Sequence, residues 1–420
     1  MFVLYAIGAS FSTYFCMYAF RKPFAAAKFE GLVLFGTTIG LKTTYVISQI
    51  IGYTLSKYIG IKVCSEVTRE RRARMLVGMI LAAQLSLLGF AILPHPWKAI
   101  AIFFNGLPLG MVWGLVVWYL EGRRTSELLL AGLSCSFIVA SGVVKDAGRW
   151  LMSDFGVSEA WMPFCTALLF IVPFMVSVWL LRQLPVPTKE DIQARVEREP
   201  MDGTMRITFL RRFLVGLVML LVAYFFLTAY RDFRDNYGVE ILTQLGYGET
   251  PAIFSRTEIP VAFGVMLALA ALNLIKDNRR GLLGAYAIMT LGVLLMGVST
   301  VLLDLKILRS GVLWMILIGL GAYLAYVPYG SVLFDRLIAS TRATGTAVFA
   351  IYVADAVGYT GSVGIQLYKD LFEVESTRLE FFKGFTYLMA LAGLVLLVLS
   401  CLFFLKSSVR LSPNADERDK

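Results

Sequence analysis

Charge is scarce in this chain, and so are histidine and the spacings that metal or nucleotide chemistry needs. Of 420 residues, 16% are Asp, Glu, Lys or Arg, where an ordinary soluble domain carries about 25%. Disorder calls for high charge and few apolar residues, so a disordered chain is excluded. The single histidine is His95, in a Pro-His-Pro turn. That leaves no HExxH pair and no histidine-containing triad. The five cysteines (Cys16, Cys64, Cys135, Cys165 and Cys401) show no CxxC spacing, and four lie inside apolar blocks, which argues against a disulfide framework. No GxxxxGK[ST] loop appears, so nucleotide-driven transport is not indicated. No cofactor and no metal are expected. The first apolar block lacks a basic leading stretch and a small-residue cleavage site, so it reads as a span and not as a cleavable signal.

What the chain has in excess is apolar residues, 58% of the total against about 45–50% in soluble domains. They fall in long blocks, and about 20 apolar residues cross the hydrocarbon core as a helix. This excludes a water-soluble enzyme and makes the chain an all-α integral membrane protein. Twelve transmembrane helices are read, at 2–27, 38–59, 75–94, 98–120, 128–149, 160–182, 210–233, 252–275, 281–303, 310–334, 344–367 and 384–405.

The net charge of +10 can suggest nucleic acid as a partner, but its distribution argues for insertion topology instead. Lys62, Arg69, Arg71, Arg72 and Arg74 share one loop, and Arg123 and Arg124 another. Arg182, Lys189, Arg195, Arg198, Arg206, Arg211 and Arg212 fill the central segment; Lys276, Arg279 and Arg280 follow span eight. All fall on one side if both termini are cytoplasmic, as the excess of Lys and Arg in cytoplasmic loops requires. Trp97, Trp150 and Trp161 mark span ends on the other side. A multi-pass protein of a plasma or inner membrane is expected. Its parts are a six-helix bundle (1–183), a cytosolic linker (184–209), a second six-helix bundle (210–406) and a tail (407–420). Thr188-Lys-Glu-Asp191 resembles a capping box opening a short polar helix in the linker, and the tail beyond Lys406 reads as disordered.

The halves repeat. Ala19-Phe20-Arg21-Lys22 recurs as Ala229-Tyr230-Arg231-Asp232 after 210 residues, Gly106-Leu107 as Gly319-Leu320 after 213, and Gly132 as Gly345 after 213. One nearly constant offset in the same span order implies two pseudo-symmetric bundles, with substrate sites expected near the midplane where the repeats meet.

Charge inside a span costs roughly 3 kcal/mol or more and points to a cavity or a partner. Arg21 and Lys22 follow the apolar run 2–20, and Arg231 and Asp232 follow 213–230. Lys42 and Gln49 are seven residues apart on one helical face of span two. Lys145 and Asp146 lie in span five, Glu258 in span eight and Asp355 in span eleven. Two readings stand for the arginines. Either they snorkel to the headgroups, with Arg231 paired to Asp235 and Arg234 to its acidic neighbours, or their matched placement reflects a shared site. Asp355 has apolar flanks for several turns, which favours a buried role and makes a Lys145–Asp355 pair plausible. Gly106, Gly110 and Gly114, like Gly358, Gly361 and Gly364, read as packing positions. Tyr323, Tyr326 and Tyr329 share one face of span ten, as cavity lining or as packing.

The whole chain resembles the major facilitator superfamily: twelve helices, two halves, a cytosolic central loop and both ends inside. Tyr18-Ala-Phe-Arg21-Lys22-Pro-Phe24 is similar to the Tyr-x-x-Arg-Lys-x-Phe stretch in the first helix of organophosphate–phosphate antiporters, and Arg231 to that family's second arginine. The resemblance implies that the two arginines form an anion site. Gln49 stands where those antiporters carry a lysine, and the superfamily's Asp-Arg-x-Gly-Arg pattern after helix two is absent. A reduced version, Lys276-Asp-Asn-Arg-Arg-Gly281, follows helix eight. Together these look like a distinct branch.

The expected function is secondary active transport of a small, anionic organic solute by alternating access, not enzymatic catalysis. Arg21 and Arg231 would bind the anion, since a guanidinium offers a planar fork of donors. Lys42, Gln49 and Lys145 would extend the site. Glu258, Asp355, Asp146 and Asp232 would serve as coupling or charge-pairing groups, with a proton or a counter-anion as coupling partner. The competing expectations are a proton-coupled carrier of a neutral or cationic solute and a non-transporting sensor or scaffold of the same fold.

Overall fold

The computed structural model describes residues 2–120, 123, 125–186, 188, 203–341 and 347–410. Among these the regular elements are helices, apart from one isolated bridge between Val33 and Gly40. The expected linker helix after Thr188 and the tail from residue 411 lie outside the described residues. In chain order the helices are α1 (Phe2–Tyr18), a 3₁₀ turn (Pro23–Ala26), α2 (Leu41–Glu66), α3 (Arg69–Ile92), α4 (Lys98–Leu120), α5 (Ser126–Phe155) and α6 (Met162–Arg182). There follow α7 (Gly203–Asn236), α8 (Gly238–Gln244), α9 (Ile253–Asn273), α10 (Asn278–Asp304) and α11 (Gly311–Pro328). A π turn (Tyr329–Leu333) leads into α12 (Phe334–Thr341), then α13 (Ala347–Phe372) and α14 (Arg378–Arg410).

Among the described residues, nine helices are long and apolar enough to cross a membrane: α3, α4 with the turn before it, α5, α6, α7, α9, α10, α11 continuing through α12, and α14. The other three expected spans correspond to α1, α2 and α13. α1 has 17 residues and stops at Tyr18 instead of running to 27. Pro23 has no amide hydrogen to give to the Ala19 carbonyl four residues back, and its ring would crowd that carbonyl in a continuing helix. The chain therefore leaves α1 through tight turns, Phe20 N–H to Met17 O at 3.0 Å and Arg21 N–H to Tyr18 O at 3.0 Å. α2 and α13 reach 26 residues each but carry polar groups such as Lys42, Gln49, Gln366, Lys369 and Asp370, all buried. α7 runs 34 residues and keeps Arg231, Asp232, Arg234 and Asp235 within the helix. α14 continues to Arg410, past the expected end at 405.

Local chemistry sets several ends. Gly156 adopts φ 64° and closes α5, a left-handed conformation that costs glycine nothing. Asp277 accepts a 2.8 Å hydrogen bond from the Arg280 amide and caps α10, and Ser310 accepts one from Leu313 at 3.2 Å and caps α11. Trp97, Trp150 and Trp161 lie at or near helix ends and are exposed.

The described residues fall into two compact units. The first draws on Met1–Ala194, Asp232–Ala262 and Val363–Phe381; the second on Arg195–Arg231, Phe263–Ser362 and Phe382–Lys420. In the first, α2 and α4 are packed backbone to backbone. A Cβ added at Gly106 would collide with the Gln49 carbonyl and come within 2.8 Å of the Tyr53 nitrogen. The second has an aromatic core in which Tyr230 stacks on Phe382 with centroids 4.7 Å apart and Trp314 meets Phe382 edge-on at 6.1 Å.

Candidate functional site

In the first unit the site grows from the break after α1. Leaving the helix turns Arg21 and Lys22 inward, and both are buried. The Arg21 guanidinium carbon lies 4.0 Å from the centroid of the Tyr53 ring and 5.8 Å from that of Tyr18, close enough for cation–π attraction. Tyr53 stands on α2 four residues after Gln49. Gln49 Nε2 donates to the Arg21 carbonyl at 3.0 Å and to Asn105 Oδ1 at 2.8 Å. Asn105, on α4, donates from Nδ2 to the carbonyls of Phe20 at 3.0 Å and Ala83 at 3.2 Å. Gln49 was read as a ligand for solute; its amide hydrogens are engaged within the protein.

Beside this lies a network of buried ions. Lys22 Nζ is 2.5 Å from Asp235 Oδ2 and donates to Asn236 Oδ1 at 3.0 Å. Lys145 Nζ donates to Asp235 Oδ1 at 2.8 Å and to the Asp235 carbonyl at 3.1 Å. The Ser141 hydroxyl donates to the same carboxylate. Two ammonium groups thus share one largely buried carboxylate, a geometry in which loss of the carboxylate costs more than at a surface. Arg234 Nη1 donates to Glu258 Oε1 at 2.7 Å. Lys42 donates to Glu240 at 2.7 and 2.9 Å and to the Ala25 carbonyl at 3.0 Å. Asp370 binds Arg378 at 2.5 Å and accepts the Gly40 amide at 3.1 Å, just ahead of α2.

These pairings add to the sequence reading. Lys145, expected opposite Asp355, has Asp235 as its carboxylate. Asp235, set against Arg231 on the same helix, turns instead to Lys22 and Lys145. Arg234 does meet an acid, Glu258 on α9. Asp146, read as a coupling group, accepts the Phe254 amide at 3.2 Å and the Ser255 amide and hydroxyl at 2.6 Å each, which holds the start of α9. Asp232 is buried. Asn105, Glu240, Asp370, Arg378 and Tyr53 escaped sequence reasoning. Each is one polar residue in an apolar or loop segment, and its meaning lies in a partner distant along the chain.

The second unit carries a parallel arrangement. The Arg231 guanidinium carbon lies 4.1 Å from the Tyr326 ring centroid. Tyr326 stacks on Tyr224 with centroids 5.2 Å apart and planes 18° from parallel, and Tyr329 meets Tyr224 at 4.6 Å. The Tyr224 hydroxyl donates to Asp355 Oδ1 at 2.9 Å. Tyr329 donates to the Leu220 carbonyl at 2.9 Å, from the first position of the π turn that follows Pro328. Such turns recur at functional sites. Of the three tyrosines on span ten, Tyr326 and Tyr329 belong to this cluster. The arginine and the acid read from the sequence are therefore joined by two stacked tyrosines.

The fold has solved counterparts. The crystal structure of a D-xylose–proton symporter superposes with a TM-score of 0.65 at 13% sequence identity, covering 96% of this chain and 96% of that one. A point mutant of the peptide transporter POT superposes with a TM-score of 0.60, in complex with alafosfalin at 14% identity and with sulfate at 13%; each covers 97% of this chain and 95% of its own. The fold is that of the major facilitator transporters, as the sequence resemblance implied. No curated protein sequence matches the chain. Over residues 23–407 the sequence matches the profile of a family of unknown function, DUF5690, and the chain belongs to that family.

Proposed function

We propose that the chain is a secondary active transporter that moves a small organic anion by alternating access, with Arg21 and Arg231 as the anion-binding groups. The observation that carries this reading is the repeated geometry: in each unit the carbon of a guanidinium lies over a tyrosine ring, 4.0 Å and 4.1 Å from its centroid. A ring beneath one face of a guanidinium leaves its in-plane N–H donors to meet a phosphate or carboxylate edge-on. Lys42 and Lys145, each held by a carboxylate, extend the site, and Gln49 fixes the Arg21 backbone. Glu258, Asp355, Asp146 and Asp232 supply compensating charge or carry a coupling proton. The bundles 1–183 and 210–406 are the moving parts, 184–209 is the linker and 407–420 the tail. Both termini are cytoplasmic, in a plasma or inner membrane. Binding tests this directly. Organic phosphates or carboxylates are expected to raise the apparent melting temperature of the wild type, as a ligand of the native state must. That rise is expected to vanish in Arg21→Ala and Arg231→Ala; an undiminished rise in both variants rejects the anion site.

A second reading, a proton-coupled carrier of a neutral or cationic solute, draws on the Tyr224–Asp355 hydrogen bond. It also draws on the fold shared with a D-xylose–proton symporter. Uptake of a cation that collapses in Asp355→Asn and survives in Arg21→Ala favours it over the anion reading.

A further inference from the structure

We infer that Asn105 and Gln49 form an amide clasp that positions Arg21, and that Asn105 is a positioning residue for the anion site. Where α1 stops, the carbonyls of Phe20 and Arg21 have passed the end of the helix, and Pro23 offers no amide hydrogen to them. A buried carbonyl left without a donor costs about 1–3 kcal/mol, so such groups are paired in folded proteins. Here the donors are side-chain amides. Asn105 Nδ2 takes the Phe20 carbonyl at 3.0 Å, Gln49 Nε2 takes the Arg21 carbonyl at 3.0 Å, and the two amides are tied to each other at 2.8 Å. The second Asn105 bond, to Ala83 O on α3 at 3.2 Å, orients the amide. Asn105 and Gln49 are each at most 4% exposed.

The sequence makes this clasp attainable. Gly106, next to Asn105, lets α4 approach α2 so closely that a Cβ there would collide with the Gln49 carbonyl. Gln49 and Tyr53 are one helical turn apart on the same face of α2. One helix therefore holds Arg21 at both ends, its carbonyl through Gln49 and its guanidinium through Tyr53. Asn105 fixes the preceding carbonyl, so the break cannot rotate and carry the guanidinium off the ring without losing both amide bonds. The geometry stands by itself; its functional meaning rests on the anion-binding reading of Arg21.

The test uses the purified full-length chain labelled with ¹⁵N-arginine in detergent micelles. The side-chain N–H signal lost in Arg21→Lys belongs to Arg21, and the Tyr53 ring is expected to shift it upfield. In Asn105→Ala that signal is expected to return to the position of free arginine, and affinity for inorganic phosphate to fall about tenfold. Ser48→Ala removes a different bond between the same helices, Ser48 Oγ to the Ala99 carbonyl at 2.6 Å, and is expected to leave both readouts unchanged. An Arg21 signal unmoved in Asn105→Ala, or moved as far by Ser48→Ala, overturns the inference. Should Asn105→Ala not fold, Asn105→Asp keeps the side-chain volume without the amide donor and is read in the same way. If the wild type binds no phosphate while the Arg21 signal still follows Asn105, the anion reading fails and the clasp stands.

Discussion

At the scale of the residue, the protein places charge in a largely buried setting and compensates it in two ways. Arg21 and Arg231 rest on tyrosine rings, while Lys22 and Lys145 converge on Asp235. The shared carboxylate makes an ordered pair of outcomes. Lys145→Met leaves Asp235 with Lys22, whereas Asp235→Asn takes from two buried ammonium groups the carboxylate that both bind. Breaking a buried pair from one side costs about 3–5 kcal/mol. Thermal or denaturant unfolding is therefore expected to show a larger loss for Asp235→Asn than for Lys145→Met; equal losses would mean that the two lysines do not depend on the same carboxylate. Which residues carry charge inside spans was legible, because Arg21, Arg231 and Asp355 interrupt long apolar runs. Which partners they choose was not. Asp235 meets Lys22 and Lys145 only after helices far apart in sequence are packed together, and Asn105 looked like one tolerated amide in an apolar block.

At the scale of the element, proline and glycine set the departures from regular helix. Pro23 ends α1 and Pro328 precedes a π turn, and both irregularities carry site residues. Gly106 matters for the opposite reason, since it lets two helices touch. A Cβ at Gly106 meets backbone atoms of α2, whereas one at Gly78 on α3 has nothing within 4 Å. Gly106→Ala is expected to destabilise by about 2 kcal/mol or more through overpacking, and Gly78→Ala to unfold close to the wild-type midpoint. Matching midpoints for the two variants would show that α2 and α4 can separate at little cost. Most spans were legible, since apolar length alone marks α3 to α7, α9 to α11 and α14. The ends of α1 and α7 were not. Hydropathy tracks the bilayer, while the helix ends where a backbone donor is missing or an ion pair holds one more turn.

At the scale of the whole molecule, the apolar blocks and the resemblance to major facilitator transporters led to the right fold, because both report how the chain meets lipid. The internal repeat pointed to Arg21 and Arg231, and each is found on a tyrosine ring in its own unit. Tyr53 and Tyr326 were outside its reach, since aromatic residues are common in spans and carry no positional signal. Flux through reconstituted liposomes tests the anion-transport reading most directly. Wild-type protein is expected to take up at least one organic phosphate or carboxylate saturably. Arg21→Ala and Arg231→Ala are each expected to cut that uptake about tenfold to a hundredfold, the loss that follows from removing a charge-assisted hydrogen bond. Uptake of every accepted solute at the wild-type rate in both variants would contradict it.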